Sequence, residues 1–469
     1  MERNIADELG IRRHPITSAS FNMTQGCNLR CTYCFTYGQS AKRMSLEIGK
    51  KCVDFLFRDA READINLMPN KKRQVDISFW GGEPLLEWKL IQDLVLYAEA
   101  MKGKIMTSFG GTTNGVLLTP EKIPFLKDHR ILFMVSLDGT QETHDKYRRM
   151  ATGAGSHAAI MKNMERVIKE WPFYKVRMSP YADGIHRFYE DVKYLVEFGF
   201  TNIMFSPVYE SNFTEEHWKI WEAECYKVVD LIADYRKKGT KVEIEHFKSY
   251  ISRDRSEWPC GAGRFYVGFD VDGAIYPCHR FNKFTDHRDW QEKEVCIGHV
   301  DHGITNPEFR QKFVDFKPIG CEKCDFFFST PCHGGCYAVN FDLTGDIQKA
   351  PEALCRYVKM QKAVSEYYKE KIGMEQGLSA IGQPQGRSCV CYNMCYLEGT
   401  DDEIRDVDGT DIQCQCYNAN YTGDLDPKLA RPIEGKVITP SEVMELLRKI
   451  DKRLSKVEEY VVIKEGGKQ

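Results

Sequence analysis

Residues 24–37 read TQGCNLRCTYCFTY, a stretch in which Cys27, Cys31 and Cys34 follow the pattern C-x3-C-x2-C. Three thiolates this close together can hold three corners of an iron-sulfur cube, and a cube with only three protein ligands leaves one iron open to another molecule. A zinc knuckle is the alternative. Structural zinc needs a fourth Cys or His, however, and the next one is Cys52, inside a predicted helix. The loop therefore favours an iron-sulfur cluster.

The sequence around this loop alternates short apolar runs with amphipathic stretches from about residue 17 to residue 240. This alternation is typical of βα units built on a parallel sheet. The predicted strands are 18–23, 74–79, 105–112, 131–136, 174–180 and 201–206. The predicted helices are 45–66, 86–102, 120–128, 156–170, 187–198 and 214–238. Six such units predict an α/β fold, a partial (β/α)6 barrel of the TIM type, with its chemistry at the carboxyl ends of the strands.

Composition restricts the class of protein. The chain has 469 residues, and its 65 Lys and Arg nearly balance its 68 Asp and Glu. This predicts a globular protein of several domains without the cationic field that nucleic acid or an anionic membrane would attract. With no long apolar run and no signal peptide at Met1, we expect a cytoplasmic protein. In a reducing compartment its 18 cysteines favour metal or redox chemistry over disulfides.

The three cysteines, with Tyr33 before the last of them, resemble the signature of the radical S-adenosylmethionine (SAM) superfamily. Three more segments at the ends of successive predicted strands match that family. They are Gly81-Gly82-Glu83-Pro84, Thr113-Asn114-Gly115, and Ser136-Leu137-Asp138-Gly139 followed by His144-Asp145 and Tyr147-Arg148. The chemistry of the residue types agrees, because two glycines let the backbone approach a ligand and Glu83 supplies an acceptor for an ammonium group.

The resemblance implies a [4Fe-4S] cluster on Cys27, Cys31 and Cys34 whose open iron binds SAM. It also implies reductive cleavage of SAM to methionine and a 5'-deoxyadenosyl radical, which abstracts a substrate hydrogen. The residues implied to contact the cofactor are Tyr33, Gly81, Gly82, Glu83, Pro84, Thr113, Asn114, Ser136, Asp138 and Arg148.

A second group of cysteines lies in a stretch rich in turn residues, which predicts a small loop-rich domain. It resembles the SPASM domain of enzymes that modify peptides, with two auxiliary [4Fe-4S] clusters. The resemblance implies that Cys260, Cys278 and Cys336 bind the first cluster and Cys321, Cys324, Cys332 and Cys355 the second. Cys296 is a candidate fourth ligand of the first cluster, and an open iron that takes a substrate thiolate is the alternative. Two zinc ribbons are a further alternative for the whole group.

His279 directly follows Cys278 and is a candidate catalytic base, although a hydrogen-bonded structural histidine is the commoner case. In sulfatase maturases an Asp follows this cysteine. His279 therefore favours maturases that form thioether or other crosslinks over those that form formylglycine.

The C-terminal segment repeats the pattern C-x-C-Y-N-x-x-Y. Its two arms offer a candidate further metal site at Cys389, Cys391, Cys414 and Cys416, with free thiols or a peptide-like segment that visits the active site as the alternatives. A capping box at Thr439 predicts a final amphipathic helix over 440–457. The predicted division of the chain is an N-terminal extension (1–16), a radical SAM partial barrel (17–240), a SPASM domain (241–375), and a tail with linker, repeat and helix (376–469).

The sequence thus predicts three [4Fe-4S] clusters and a radical SAM enzyme that installs a thioether or other crosslink in a short genetically encoded precursor peptide. An electron donor such as flavodoxin or ferredoxin is implied, and neither nucleic acid nor membrane is expected as a partner. One alternative is oxidation of Cys or Ser to formylglycine. The other is a non-catalytic zinc-bound interaction protein.

Overall fold

The structure is a computed structural model of the chain. It describes residues 14–36, 40–68, 72–170, 174–248, 250, 261–282, 295–330, 332–372, 404–405 and 411–412. Three predictions lie outside the described residues: the ligand Cys260, the cysteines of the C-terminal repeat, and the helix over 440–457.

The first 250 residues contain the predicted βα units. The strands are β1 (Ser18–Asn22), β2 (Leu29–Cys31), β3 (Gln74–Trp80), β4 (Met106–Thr113), β5 (Ile131–Ser136), β6 (Arg148–Met150), β7 (Lys175–Met178), β8 (Asn202–Phe205) and β9 (Glu243–Ile244). The helices are α1 (Leu46–Glu62), α2 (Trp88–Met101), α3 (Ile123–Asp128), α4 (Gln141–Tyr147), α5 (His157–Glu170), α6 (Phe188–Phe198) and α7 (Glu215–Lys237). All six predicted strands are confirmed, with ends that shift by a few residues.

Apolar and polar side chains alternate along the strands β1 and β3 and lie on opposite faces of the sheet. Phe21 of β1 and Ile77 and Phe79 of β3 are fully buried in the main hydrophobic core. Successive side chains of a strand point to opposite faces, so Ser20 and Ser78, which are register partners, lie on the other face. The helices cover the apolar face and leave a polar face inside.

Helix ends follow their capping residues. Ser45 accepts a hydrogen bond from Ile48 N and begins α1. Thr214 and His217 form a capping box at the start of α7. A side chain that satisfies a first-turn N–H at a helix start stabilises the helix by about 1 kcal/mol.

The sheet continues beyond the predicted units. Its later strands are β10 (Tyr266–Phe269), β11 (Ala274–Tyr276), β12 (Gly298–His299) and β13 (Gly303–Ile304). The strands β14 (Ile404–Arg405) and β15 (Asp411–Ile412) pair with each other in a separate two-stranded sheet. Among the described residues the main sheet has the order β13-β12-β11-β10-β1-β3-β4-β5-β7-β8-β9. Strands β1, β3, β4, β5, β7 and β8 run parallel, and β10 joins β1 in parallel. This confirms an α/β fold on a large parallel sheet, which the described strands leave open between β9 and β13.

The region after β10 holds the second cysteine group on short elements. Its helices are α8 (Pro307–Val314), α9 (Asp325–Ser329), α10 (Tyr337–Thr344) and α11 (Glu352–Ile372). The Tyr357 ring of α11 lies 5.6 Å from Trp221 of α7. No helix among the described residues has the length and apolar character needed to cross a membrane. The domain boundaries given above remain predictions.

Candidate active site

The three-cysteine loop is attached to the sheet by a short strand pair. Strand β2 pairs antiparallel with β6, and this places Cys31 opposite Arg148. Burial raises the pKa of Cys27 to about 12, with further increases from Glu83, Cys31 and Cys34. Burial likewise raises the pKa of Cys31 to about 11, against the lowering effect of Arg148. The thiols therefore lie close enough for charge on one to disfavour charge on the next.

The Gly81-Gly82-Glu83-Pro84 segment packs directly on this loop. Gly82 N donates to Thr24 O at 2.8 Å, and Glu83 N donates to Gly26 O at 2.9 Å. A Cβ at Gly82 would lie 2.1 Å from Gly26 O, and Gly81 has a φ of +150°. Neither position admits a larger residue without a backbone shift. The two glycines thus let the cysteine loop and the β3 end meet.

Glu83 is 1% exposed and holds the ends of two strands together. Its carboxylate accepts from Thr113 Oγ1 at 2.7 Å, Asn114 N at 2.8 Å and Leu85 N at 3.1 Å. Burial raises its pKa to about 7 although these donors lower it. A carboxylate has about four lone-pair sites, so Glu83 can accept one more donor. Asn114 also reaches the loop, through a 2.7 Å bond from its Nδ2 to Asn28 Oδ1.

Asp138 follows β5 and gathers the other predicted cofactor residues. It accepts from Arg148 Nε at 2.8 Å, from Ser179 N at 2.8 Å and from the Tyr33 hydroxyl. Burial raises the pKa of Asp138, but the charge of Arg148 together with the hydrogen bonds from Arg148 and Tyr33 outweighs burial, so the pKa lies below its usual value. Arg148 also lies over the Tyr33 ring at 5.1 Å. Ser136 lies nearby at the end of β5.

His144 belongs to the same sequence motif and forms a hydrogen bond with the backbone of Asp138. Its Nδ1 accepts from Asp138 N at 3.3 Å, and its Nε2 lies 2.9 Å from Ser156 Oγ. Burial lowers its pKa to about 3. His144 is therefore neutral and acts as a structural acceptor.

His279 lies beside the same loop. Its Nδ1 is 2.8 Å from the Tyr266 hydroxyl, and its ring lies 5.2 Å from Trp80 and 6.2 Å from Phe35. Burial lowers the pKa of His279 to about 3, and the positive charges of Arg280 and Arg177 lower it as well. Its role as a catalytic base remains a prediction. Sequence reasoning missed its neighbours Phe35, Trp80 and Tyr266, because they come from three separate segments, the three-cysteine loop, β3 and β10.

Four cysteines of the second group interact with one another through their charges. Burial raises the pKa of Cys321 to about 11, with further increases from Cys332, Cys355 and Cys324. The thiols of Cys332 and Cys324 also raise the pKa of Cys355. These four thiols therefore lie close enough to interact, and their assignment to one cluster remains a prediction.

The first predicted set is spread over separate elements. Cys278 is buried after β11, and Cys336 precedes α10 and faces Arg280. Cys296 donates to the carbonyls of Gly298 at 3.3 Å and Ile275 at 3.5 Å. The assignment of these cysteines to one cluster remains a prediction.

The N-terminal site suits the groups that the resemblance implies. In the described part of the chain no three His, Cys, Asp or Glu side chains are placed to share a single metal ion. Cys27, Cys31 and Cys34 offer thiol ligands for a polynuclear cluster. The buried Glu83 can accept from an ammonium group, and the guanidinium of Arg148 has five N–H donors, of which Asp138 and Ser179 take two.

Comparison with known proteins gives the same assignment. Residues 21–187 match the family model for the radical SAM superfamily. The chain is 25% identical over 335 residues to the cysteine-type anaerobic sulfatase-maturating enzyme of Clostridium novyi (strain NT), covering 67% of this chain and 85% of that one. It is 24% identical over 387 residues to the serine-type anaerobic sulfatase-maturating enzyme of Bacteroides thetaiotaomicron, covering 73% of this chain and 87% of that one.

A solved structure shares the fold. The structure described as native anSMEcpe with bound AdoMet and Kp18Cys peptide superposes with a TM-score of 0.60 at 18% identity, over 76% of this chain and 99% of that chain. The predicted family resemblance is therefore confirmed. Together the matched residues, the relatives and the shared fold identify the chain as an enzyme that carries a radical SAM domain.

Proposed function

We propose that this enzyme abstracts a hydrogen atom from a residue of a peptide or protein substrate. The observation that carries the proposal is the convergence of the Cys27–Cys34 loop, the buried Glu83 and the Asp138–Arg148 pair at the carboxyl ends of neighbouring strands. When bound, a [4Fe-4S] cluster and SAM supply a 5'-deoxyadenosyl radical at this edge of the sheet. The protein binds and orients the reactants.

Each residue has a role that its surroundings support. Cys27, Cys31 and Cys34 hold the cluster. Glu83 accepts from the methionine ammonium, which would favour its ionised form against the burial that raises its pKa to about 7. Arg148 donates to the methionine carboxylate with N–H groups other than those that bond to Asp138 and Ser179.

The second cysteine group supports a proposal of two auxiliary clusters. Cys321, Cys324, Cys332 and Cys355 lie together and would hold one. Cys278 and Cys336 would hold the other with Cys260, and Cys296 or a substrate thiolate would complete it. Flavodoxin or ferredoxin in the cytoplasm would deliver the electron that SAM cleavage consumes.

We propose a thioether or other crosslink in a short genetically encoded peptide as the product. The support is that His279 follows Cys278 at the position where sulfatase maturases have an Asp. His279 is hydrogen-bonded to Tyr266 and packs on Trp80 and Phe35. The second candidate is oxidation of a Cys or Ser side chain to formylglycine. It is favoured by the two sulfatase-maturating relatives, which align over 67% and 73% of the chain.

An anaerobic assay separates the candidates. Iron-loaded enzyme with SAM and dithionite is incubated with cysteine-containing peptides, including a sulfatase-motif peptide and any short peptide encoded beside the gene. A crosslinked product loses two hydrogens and keeps its sulfur, whereas formylglycine from Cys loses its sulfur and reacts with a hydrazide. Detection of 5'-deoxyadenosine reports the shared first step.

The control variants test the site itself. Cys31→Ala should abolish 5'-deoxyadenosine formation, whereas Cys225→Ala, which removes a fully buried thiol in α7, should leave it. Equal 5'-deoxyadenosine formation by both variants would refute the proposal.

A further inference from the structure

Arg280 contacts three separate segments of the chain. Its Nη2 donates to Glu210 Oε1 at 2.7 Å and lies 3.5 Å from Asp342 Oδ2. Its guanidinium lies 5.0 Å from the ring centroid of Phe35. Glu210 lies in the turn Tyr209–Ser211 after β8, Asp342 lies in α10, and Phe35 directly follows Cys34. One side chain thus connects the sheet end, the auxiliary cysteine region and the three-cysteine loop.

The backbone that carries Arg280 is fixed against the sheet. A Cβ at Gly268 of β10 would lie 2.9 Å from His279 N and 3.0 Å from the carbonyl carbon of Cys278. Phe281 N donates to Cys278 O at 3.0 Å and closes a turn. Because this turn packs directly on β10, the Arg280 side chain leaves from a defined position.

Phe35 extends the contact to the other half of the site. Its ring stacks on Trp80 with a centroid distance of 5.9 Å and an interplanar angle of 10°. Trp80 ends β3 and directly precedes Gly81. Arg280, Phe35 and Trp80 therefore form a continuous stack from the auxiliary region to the glycines that pack on the cysteine loop.

The charges make Arg280 hard to replace. Its side chain is 20% exposed, and those of Glu210 and Asp342 are 39% and 12% exposed. A planar guanidinium can bind two carboxylates at its edge and an aromatic ring at its face, whereas the ammonium of Lys offers a point charge without such a face. Without this cation, the largely buried Asp342 would lose the positive charge that pairs with it.

We propose that Arg280 is a positioning residue that holds helix α10 against the three-cysteine loop, so that SAM binding at the loop also orders α10. This rests on the proposed function, because it takes the loop of residues 27–36 as the SAM site. The residue does not touch the reacting atoms. It acts through Phe35 on one side and Asp342 on the other.

Hydrogen exchange followed by mass spectrometry tests the proposal with SAM alone and needs no peptide substrate. Iron-loaded protein is compared with and without SAM. In the parent protein we expect SAM to slow exchange in residues 27–36 and, by about fivefold, in residues 336–344. In Arg280→Gln the protection of 27–36 should persist and that of 336–344 should disappear. Arg280→Lys, which keeps the charge and loses the planar edge, should give an intermediate result.

A matched control is Arg236→Gln. Arg236 is 22% exposed, pairs with Glu243 at 3.1 Å and lies 5.9 Å from the Tyr368 ring centroid, so it has the same kinds of partners away from the site. It should behave like the parent protein.

Each outcome of this experiment either supports or overturns the role of Arg280 or contradicts the proposed function. Protection of 336–344 that survives in Arg280→Gln, or that is missing in the parent protein while 27–36 is protected, overturns the role of Arg280. Absence of SAM protection in both segments of the parent protein instead contradicts the proposed function. Should Arg280→Gln not fold, Asp342→Asn makes the same test, since it removes the charge on α10 that pairs with Arg280 and leaves Phe35 and Glu210 unchanged.

Discussion

Cys31 lies opposite Arg148 in the antiparallel pair of β2 and β6. The pairing brings a thiol of the three-cysteine loop beside the guanidinium that binds Asp138 at 2.8 Å. The backbone ladder, not side-chain length alone, therefore sets the separation between the cluster loop and the cation. A shift of one residue in this register would turn Arg148 to the other face of the strand.

Loss of the Arg148 charge should destabilise the protein as well as weaken SAM binding. Arg148→Met leaves Asp138, whose side chain is 4% exposed, as a buried carboxylate without its cation, which costs about 3–5 kcal/mol. Urea unfolding and equilibrium dialysis with SAM measure the two effects. Arg149→Met is the matched control because Arg149 is exposed. The assigned role of Arg148 is wrong if both variants bind SAM as tightly as the parent.

Glu83→Gln should weaken SAM binding by about 10–100-fold, because a hydrogen bond to a charged acceptor is replaced by one to a neutral amide. The amide nitrogen cannot accept a hydrogen bond, so Asn114 N or Leu85 N loses its acceptor, and the free energy of unfolding should also fall by about 1–3 kcal/mol. Isothermal titration with SAM measures the loss. Glu87→Gln, three residues from the proline and paired with Arg43 at 3.5 Å, should bind SAM normally. Unchanged affinity in Glu83→Gln would remove this carboxylate from the binding site.

Gly82→Ala should reduce iron binding by the three-cysteine loop. The added Cβ would lie 2.1 Å from Gly26 O, so the backbone of the loop must move away from β3. The expected result is a lower iron content and loss of 5'-deoxyadenosine formation. In Gly103→Ala the added Cβ meets no atom within 4 Å, and only the strain of its positive φ is expected, about 1–2 kcal/mol. Full iron loading of Gly82→Ala would contradict the close packing described here.

The alternation of apolar runs and amphipathic stretches sufficed to predict the strands β1, β3, β4, β5, β7 and β8. Each of these strands buries apolar side chains in the main core, and this leaves a signal in its own sequence. Strands β10 to β13 were not predicted. They have between two and four residues, too few to show alternation. The partner of β10 is β1, almost 250 positions earlier in the chain, and a pairing of that range leaves no local signal.

The site shows the same limit at the level of side chains. Glu83, Thr113 and Asn114 were each predicted from motifs at strand ends, but not their mutual hydrogen bonds, since these depend on the register of β3 and β4. Trp80 and Phe35 carry no motif at all. Their stacking becomes visible only when the cysteine loop folds back over the end of β3.

Cys355→Ala should remove one auxiliary cluster and leave the others. Cys355 lies with Cys321, Cys324 and Cys332, so iron per chain should fall by about a third if three cubes are bound. SAM cleavage without peptide should continue, because the loop of residues 27–36 is untouched. Iron and sulfide analysis measures the loss, with Cys225→Ala as the control. Full iron content in Cys355→Ala would exclude it as a ligand.

Acid should destabilise the folded protein partly through His144. Burial lowers the pKa of His144 to about 3 from a usual value of 6.5. Between these two pH values His144 therefore stays neutral in the folded protein, whereas in the unfolded chain it takes up a proton. The stabilising contribution is complete above about pH 6.5 and is lost as pH falls from there towards 3, by up to about 1.4 kcal/mol per pH unit. His144→Asn keeps an acceptor for Asp138 N without this proton uptake. In urea unfolding of the iron-loaded protein, the stability gap between parent and variant should therefore shrink from pH 7.5 to pH 5. A constant gap between the parent protein and His144→Asn would mean that His144 is not held neutral by its burial.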